Sequence, residues 1–330
     1  MSSIGIIANP SSGSDIRRLI SFATAYDNSE KLNIVKRIIL GAQAMGIDEI
    51  YIMQDSYHMG RKAMDSLRRR GMLTSRCTLL DNPILGDVRD TLRATALLEE
   101  LGVGAIVVLG GDGTSRAVAK AVRSIPILPI STGTNNVYPM MIEGTVAGMA
   151  AAITAVTEDI SSFCVKDKRI EIVEDGEVID IALIDAVISS DKSQGAKAIS
   201  DYSKISHIYV TRAHPSYIGF SSIVGTYRMI HAADDHGFMV GLGSGGKKVR
   251  AAVSAGVIED FFIQEEKIME NHLMNYHEIS ERCAIALDGE KEILANPGRV
   301  LGFRVTGDGP WRILPDKSLE YALEKGYFSK

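Results

Sequence analysis

The sequence predicts an α/β fold: an N-terminal domain built on a parallel sheet, joined to a second, mainly antiparallel β domain, with an active cleft between them. Three observations predict it. Apolar, β-branched runs alternate with amphipathic helical runs through the first 143 residues. The texture then changes to short β-rich segments. Finally, three loops of small polar residues each follow one of the early strand-like runs, where ligands bind in parallel sheets.

The elements follow in order. "IGIIAN" (Ile4 to Asn9) reads as a buried strand, and "EKLNIVKRIILGAQAMG" as a helix with apolar residues at helical spacing. "EIYIMQ" is the next strand, followed by a helix from about Gly60 to Arg70. "RCTLLD" and a helix from about Thr91 to Leu101 come next, then "AIVVLG", a further helix, and "PILPIS". A helix through "TVAGMAAAITAVT" leads into "KRIEIVEDGEVIDIALIDAVIS", where "EDGE" reads as a hairpin turn, and later into "CAIALDGEKEI". The tail "SLEYALEKGYF" reads as an amphipathic helix. The expected domains are therefore 1–143, an α/β domain; 144–305, a β-rich domain; and 306–330, a helical tail that packs back on the first domain.

Composition narrows the partners. The chain of 330 residues has room for two domains at about 100–200 residues each. A formal charge of −5 supplies no electrostatic reason for nucleic acid or an anionic membrane as partner. Cys77, Cys164 and Cys283 are far apart and form no C-x-x-C, so no disulfide framework or zinc knuckle is indicated. No apolar segment reaches the roughly 18 residues of a membrane span, and no basic leader precedes the first apolar run. The expectation is a cytoplasmic protein that forms a homo-oligomer. His231 and His236, like His272 and His277, are five apart, a spacing that does not align two ligands on one helical face, so no resident metal site is expected.

The three loops carry the chemistry. "NPSSGSD" spans Asn9 to Asp15, "GGDGT" Gly110 to Thr114, and "STGTNN" Ser131 to Asn136. A glycine turn that opens a helix offers unpaired N–H groups to an anion, and glycine's φ freedom and lack of Cβ let that anion approach. Asp112 is a carboxylate set where phosphate is welcome. Such a group can accept a proton from an acceptor hydroxyl or orient Mg²⁺. Thr134, Asn135 and Asn136 are suited to hydrogen-bond phosphate or ribose.

"GLGSGGKK" (Gly241 to Lys248) satisfies G-x-G-x-x-G and the first seven positions of a P-loop, but Lys248 replaces the Ser/Thr that would hold Mg²⁺. It reads as a tight turn near the cleft, with Lys247 or Lys248 in reach of a phosphate. "RKAMDSLRRRG" reads as a solvated helix face. Asp288 reads as a turn former, and Ser12 and Ser216 have no histidine at motif spacing, which leaves a serine hydrolase without support.

Together these motifs resemble the superfamily of ATP-NAD kinases and diacylglycerol and sphingosine kinases, with phosphofructokinases more distant. "NPxSG" is matched by Asn9, Pro10, Ser12 and Gly13, "GGDGT" by Gly110, Gly111, Asp112, Gly113 and Thr114, and "GTxND" by Gly133, Thr134, Asn135 and Asn136, where Asn136 stands in place of Asp. "ALDGEKEI" is similar to the "DGE" turn of the lipid kinases, whose glutamate is matched by Glu290. Over nearly its whole length the chain most resembles the ATP-NAD kinase-like group that includes the acetoin-catabolism protein X. NAD kinases hold the dinucleotide with an Asn-Glu/Asp pair; "ALIDAVIS" presents Ile184 and Asp185, so Asp185 is the implied acceptor-binding residue. "HPSYIGFSS" occupies the place of their T-G-S-T-A-Y turn.

The resemblance implies a Rossmann-like first domain and an ATP- and Mg²⁺-dependent kinase. Its acceptor would be a hydroxyl of a soluble small molecule, NAD the first candidate, with Asp112 and Glu290 catalytic. A lipid kinase and a catalytically silent nucleotide-binding regulatory protein are the alternatives.

Overall fold

The structure, a computed structural model, describes residues 2–12, 22–24, 26–191, 199 and 201–329. Its first sheet has seven strands. Five are parallel neighbours: β1 (Ser3–Ala8), β2 (Glu49–Ile52), β3 (Arg76–Leu79), β4 (Ala105–Gly110) and β5 (Ile127–Ser131). With β6 (Cys164–Lys166) and β17 (Trp311–Ile313) the order is β3-β2-β1-β4-β5-β17-β6. Ile4, Ile6 and Ala8 of β1 enter one apolar core and Ile7 the other, the period of two expected of a strand covered on both faces.

Helices α1 (Asn28–Ala44), α2 (Met59–Arg69) and α5 (Gly144–Val156) contribute to one core, and α3 (Val88–Leu101) and α4 (Asp112–Ala121) to the other. Asp27 and Asp87 accept first-turn N–H groups of α1 and α3 as N-caps. Helix α5, expected to open the second domain, lies instead against α1. A Cβ on Gly148 would stand 2.2 Å from the Ile38 carbonyl, an approach only glycine permits. Helix α7 (Pro315–Glu324) packs on α5, with Ser318 Oγ donating to the Ala150 carbonyl at 3.0 Å. The parallel-sheet unit thus recruits the segments on either side of the antiparallel one.

The second domain stacks two antiparallel sheets. One runs β12 (Val257–Glu270), β11 (His236–Ser254), β10 (Ile205–Val210), β9 (Asp185–Ser189), β14 (Cys283–Leu287), β15 (Glu290–Ala295); the other β13 (Met274–Glu278), β16 (Val300–Thr306), β7 (Arg169–Glu174), β8 (Glu177–Ala182). Tyr209 and Phe303 stack between them with ring centroids 4.0 Å apart. The "EDGE" turn joins β7 to β8, with Asp175 at φ +50° and Gly176 at φ +84°. The short helix α6 (Phe220–Gly225) covers the far face of the larger sheet.

"GLGSGGKK" is not the tight turn expected. Leu242 and Lys247 both pair with Ile263, so residues 243–246 form a bulge inside β11, where the pairing resumes on the far side. Lys248 is paired with Asp260 at 2.8 Å, and the Lys247 ammonium lies over the Tyr227 ring. Both lysines thus make contacts within the second domain. Among the described residues no helix is long and apolar enough to cross a membrane.

Candidate active site

The three loops meet at the carboxyl ends of β1, β4 and β5. Asn9 Nδ2 donates to Thr114 Oγ1 at 2.9 Å, tying the first loop to the second. Ser12 Oγ receives a hydrogen bond from Thr132 Oγ1 at 3.0 Å, tying it to the third. Gly13 lies outside the described residues. The first loop is shaped from beneath by Lys31, buried on α1, whose ammonium donates to the carbonyls of Asn9, Pro10 and Ser12 at 3.3, 3.0 and 2.6 Å.

Gly110, Gly111, Asp112, Gly113 and Thr114 form the passage from β4 into α4, with Gly111 at the N-cap. Gly111 is at φ −103°, and neither Gly110 nor Gly113 has a positive φ, so none of the three uses the φ freedom of glycine. What these positions need is space. A Cβ on Gly111 would stand 2.8 Å from Asn136 Oδ1, one on Gly113 2.8 Å from Glu290 Oε1, and one on Gly110 2.5 Å from Thr114 Cβ. The first-turn N–H groups of α4 have no intrahelical acceptor, as at any helix start.

Asp112 is turned toward the third loop. Its oxygens accept the backbone N–H of Val137, at 3.1 Å to each, and of Tyr138 at 2.8 Å. Below that loop the Tyr138 hydroxyl donates to Asp167 at 2.8 Å, and Asp167 also receives Arg212 at 2.8 Å and Arg312 at 2.6 Å. Burial works to raise the Asp167 carboxyl, but the two guanidinium groups outweigh it and hold it below its ordinary range.

Within the third loop Ser131 Oγ donates to the Gly133 carbonyl at 2.7 Å and accepts from Asn136 Nδ2 at 2.8 Å. Thr134 Oγ1 accepts the Thr24 N–H at 3.0 Å. Asn135 leaves the loop for the second domain: its Nδ2 donates to Ser254 Oγ and its Oδ1 accepts from the Ala255 N–H, both at 3.2 Å. Thr134 and Asn135, expected to meet a ligand, hold neighbouring chain segments together.

From the other side of the cleft comes the β14–β15 turn. Asp288, at φ +49°, accepts the N–H groups of Leu183, Ile184 and Asp185 at 3.0, 2.8 and 3.2 Å, and its own N–H donates to the Asp185 carbonyl. It is the turn former the sequence predicts, and it places buried Asp185 beside the turn that carries Glu290. Burial raises the Asp288 carboxyl, against the opposing pull of Arg116. Arg116 and Lys31, both buried, were not singled out from the sequence. Their signal was a cation on the apolar face of a helix, which calls for an acid or a set of carbonyls from elsewhere. Ser216 does meet a histidine: His214 Nδ1 lies 2.6 Å from its Oγ, and also accepts the Ser216 N–H at 3.1 Å, a local exposed turn.

Two domains thus close on a glycine-lined helix start, with a carboxylate from each side, and fold and site together define an α/β protein of NAD kinase-like architecture. The ATP-NAD kinase N-terminal domain family matches residues 4–159, and the acetoin catabolism protein X C-terminal domain family matches residues 168–308. Acetoin catabolism protein X of Cupriavidus necator is 35% identical over 306 residues, covering 89% of this chain and 85% of that protein. The crystal structure of yeast NADH kinase complexed with NADH superposes with a TM-score of 0.50 at 10% identity, over 100% of this chain and 89% of its own, a likeness of fold. The chain belongs to the ATP-NAD kinase-like group that includes acetoin catabolism protein X.

Proposed function

We propose that this protein is an ATP- and Mg²⁺-dependent phosphotransferase acting on a hydroxyl of a soluble small molecule, with NAD the first acceptor to test. The observation that carries the reading is the Glu290 carboxylate of the second domain resting on Gly113 at the start of α4. A carboxylate beside a helix N-terminus with no Cβ in the way suits a site where a phosphoryl group meets an acceptor hydroxyl.

The orphan N–H groups at the start of α4 suit the nucleotide phosphates, with Asn9 and Thr114 at their edge and the Glu290 carboxylate to one side. Among the described residues no group of three or more His, Cys, Asp or Glu could hold a metal ion by itself. Mg²⁺ needs only one or two carboxylates when phosphates supply the remaining oxygens, and Asp112 is the one that would hold it, directly or through water. Bound with the nucleotide, it supplies neutralisation of phosphate charge. In this reading Glu290 takes the acceptor's proton, Asp112 orders the loop of Val137 and Tyr138 around the phosphates, and Asp185 binds the acceptor. Buried thiols at Cys77, Cys164 and Cys283 support a reducing, cytoplasmic setting.

A second reading, a nucleotide-binding regulatory protein without turnover, is favoured by the use of Asp112 as a backbone anchor. Incubation with ATP, Mg²⁺ and a panel of alcohols including NAD and diacylglycerol, with ADP as the readout, separates the readings. ADP formed only with a soluble alcohol supports the first. Tight ATP binding with no ADP supports the second.

A further inference from the structure

Helix α4 presents Gly113, Arg116 and Lys120 along one stripe, at i, i+3 and i+7. Strand β15, bulged between Lys291 and Ile293, brings both Glu290 and Glu292 to it. The two rows are matched: the Glu290 carboxylate abuts Gly113, and Arg116 Nη2 reaches Glu292 Oε1 at 2.6 Å. Behind them Arg116 Nε lies 3.7 Å from Asp288 Oδ2, Arg116 Nη1 3.5 Å from Asp180, and Lys120 2.7 Å from Asp180.

Arg116 is only 3% exposed and Asp288 6%. A carboxylate buried that deeply keeps its charge only with a cation beside it, and Arg116 is the cation paired with it. As an anion Asp288 gathers the N–H groups of Leu183, Ile184 and Asp185, and thereby holds the turn from which Glu290 projects. Removing the guanidinium would release both grips on that turn, the one through Asp288 and the one through Glu292.

We propose that Arg116 is a positioning residue: acting through Asp288 and Glu292, it sets the Glu290 carboxylate against the N-terminus of α4 and joins the two domains there. The catalytic consequence rests on the phosphotransfer reading above; the clamp itself does not. A buried ion pair that merely held the domains together would leave turnover unchanged in a folded variant. A positioning residue changes kcat with little effect on the KM for ATP, because Asn9, Thr114 and the glycine surfaces are untouched.

The test is amide hydrogen exchange on the full-length protein with Arg116→Leu and Arg116→Lys, alongside steady-state kinetics with Mg²⁺ and ATP. In Arg116→Leu the amides of Leu183, Ile184 and Asp185 should lose protection by about tenfold or more while those of β1 and β4 keep theirs. Where the wild type transfers phosphate, kcat should fall by about tenfold with the KM for ATP unchanged. If Arg116→Leu does not fold, Arg116→Lys replaces it: keeping the charge but losing the fork, it should loosen the same amides by about threefold. Unchanged protection at those three amides in the folded variant overturns the proposal, and so does unchanged kcat in an active enzyme. Lost protection in a protein whose wild type forms no ADP upholds the clamp and removes the phosphotransfer reading instead.

Discussion

The Glu290 carboxylate, carried by a strand of the second domain, rests on Gly113 in the first turn of α4: a Cβ built on Gly113 would stand 2.8 Å from Glu290 Oε1. The contact joins the two carboxyl-bearing motifs, "GGDGT" and "DGE", that lie far apart in sequence. It also separates two uses of glycine. Gly113 is kept free of a side chain for the sake of what sits on it, since its backbone lies outside the left-handed region.

Gly113→Ala is therefore expected to leave the fold intact and to impair the chemistry. Alanine suits a helix better than glycine by up to about 1 kcal/mol, and the obstructed atom is the far end of a flexible side chain that can move aside. Thermal unfolding should show an equal or higher Tm. Turnover should drop by about tenfold or more as Glu290 is displaced.

Asp112→Asn is expected to cost stability as well as activity. The carboxylate accepts from Val137 and Tyr138 with both oxygens, and an amide offers one acceptor and one donor. One N–H then faces a donor or goes without, a loss of about 1–3 kcal/mol. A Tm several degrees below wild type, with turnover reduced by about a hundredfold, is the expected pair of results. A normal Tm would show that the third loop does not depend on Asp112.

Asp185→Ala separates acceptor binding from support of the strand. If Asp185 binds the acceptor, the KM for that acceptor should rise by about tenfold, the effect of roughly one charged hydrogen bond, while the KM for ATP stays near wild type. A lowered Tm with an unchanged acceptor KM would assign the residue to the fold alone.

Lys168 yields a pH prediction. Buried, and donating to the carbonyls of His231 and His236 at 3.2 and 2.6 Å, it is pushed down to about 8 from 10.5 by burial, with Arg212 adding to the effect. The folded protein releases this proton before the unfolded chain does, so from about pH 8 to 10.5 the unfolded state holds more protons and this contribution to stability rises with pH. Denaturant titrations of wild type and Lys168→Met should differ by roughly 3 kcal/mol more near pH 10.5 than near pH 7, in favour of wild type. A constant difference would mean that Lys168 titrates alike in both states.

Much of the first domain was legible because β1, β4 and β5 are apolar on both faces and its helices keep a 3.6-residue period, signals that act locally. Strands β6 and β17, three residues each, have no such signal; they join the first sheet only because α5 and α7 bring them there. "GLGSGGKK" misled because glycine marks turns and bulges alike, and only the partner strand decides between them. At the site, the motifs identified which residues meet but not how. Whether Gly111 needs φ freedom or room, and whether Asp112 faces a ligand or the N–H groups of Val137 and Tyr138, depends on the third loop. The Arg116 clamp was hidden for the same reason, its acids arriving from two strands and a turn of the other domain.

In the proposed reaction the Glu290 side of the cleft and the α4 side act together on a phosphoryl group. This joint action is tested most directly by following radioactive γ-phosphate from ATP onto soluble alcohols, NAD first, with wild type and Glu290→Gln compared at matched folding. Labelled product is expected with wild type, and a loss of about a hundredfold or more with Glu290→Gln, ATP affinity being retained. Equal transfer by the two proteins, or no transfer by wild type to any acceptor, would contradict it.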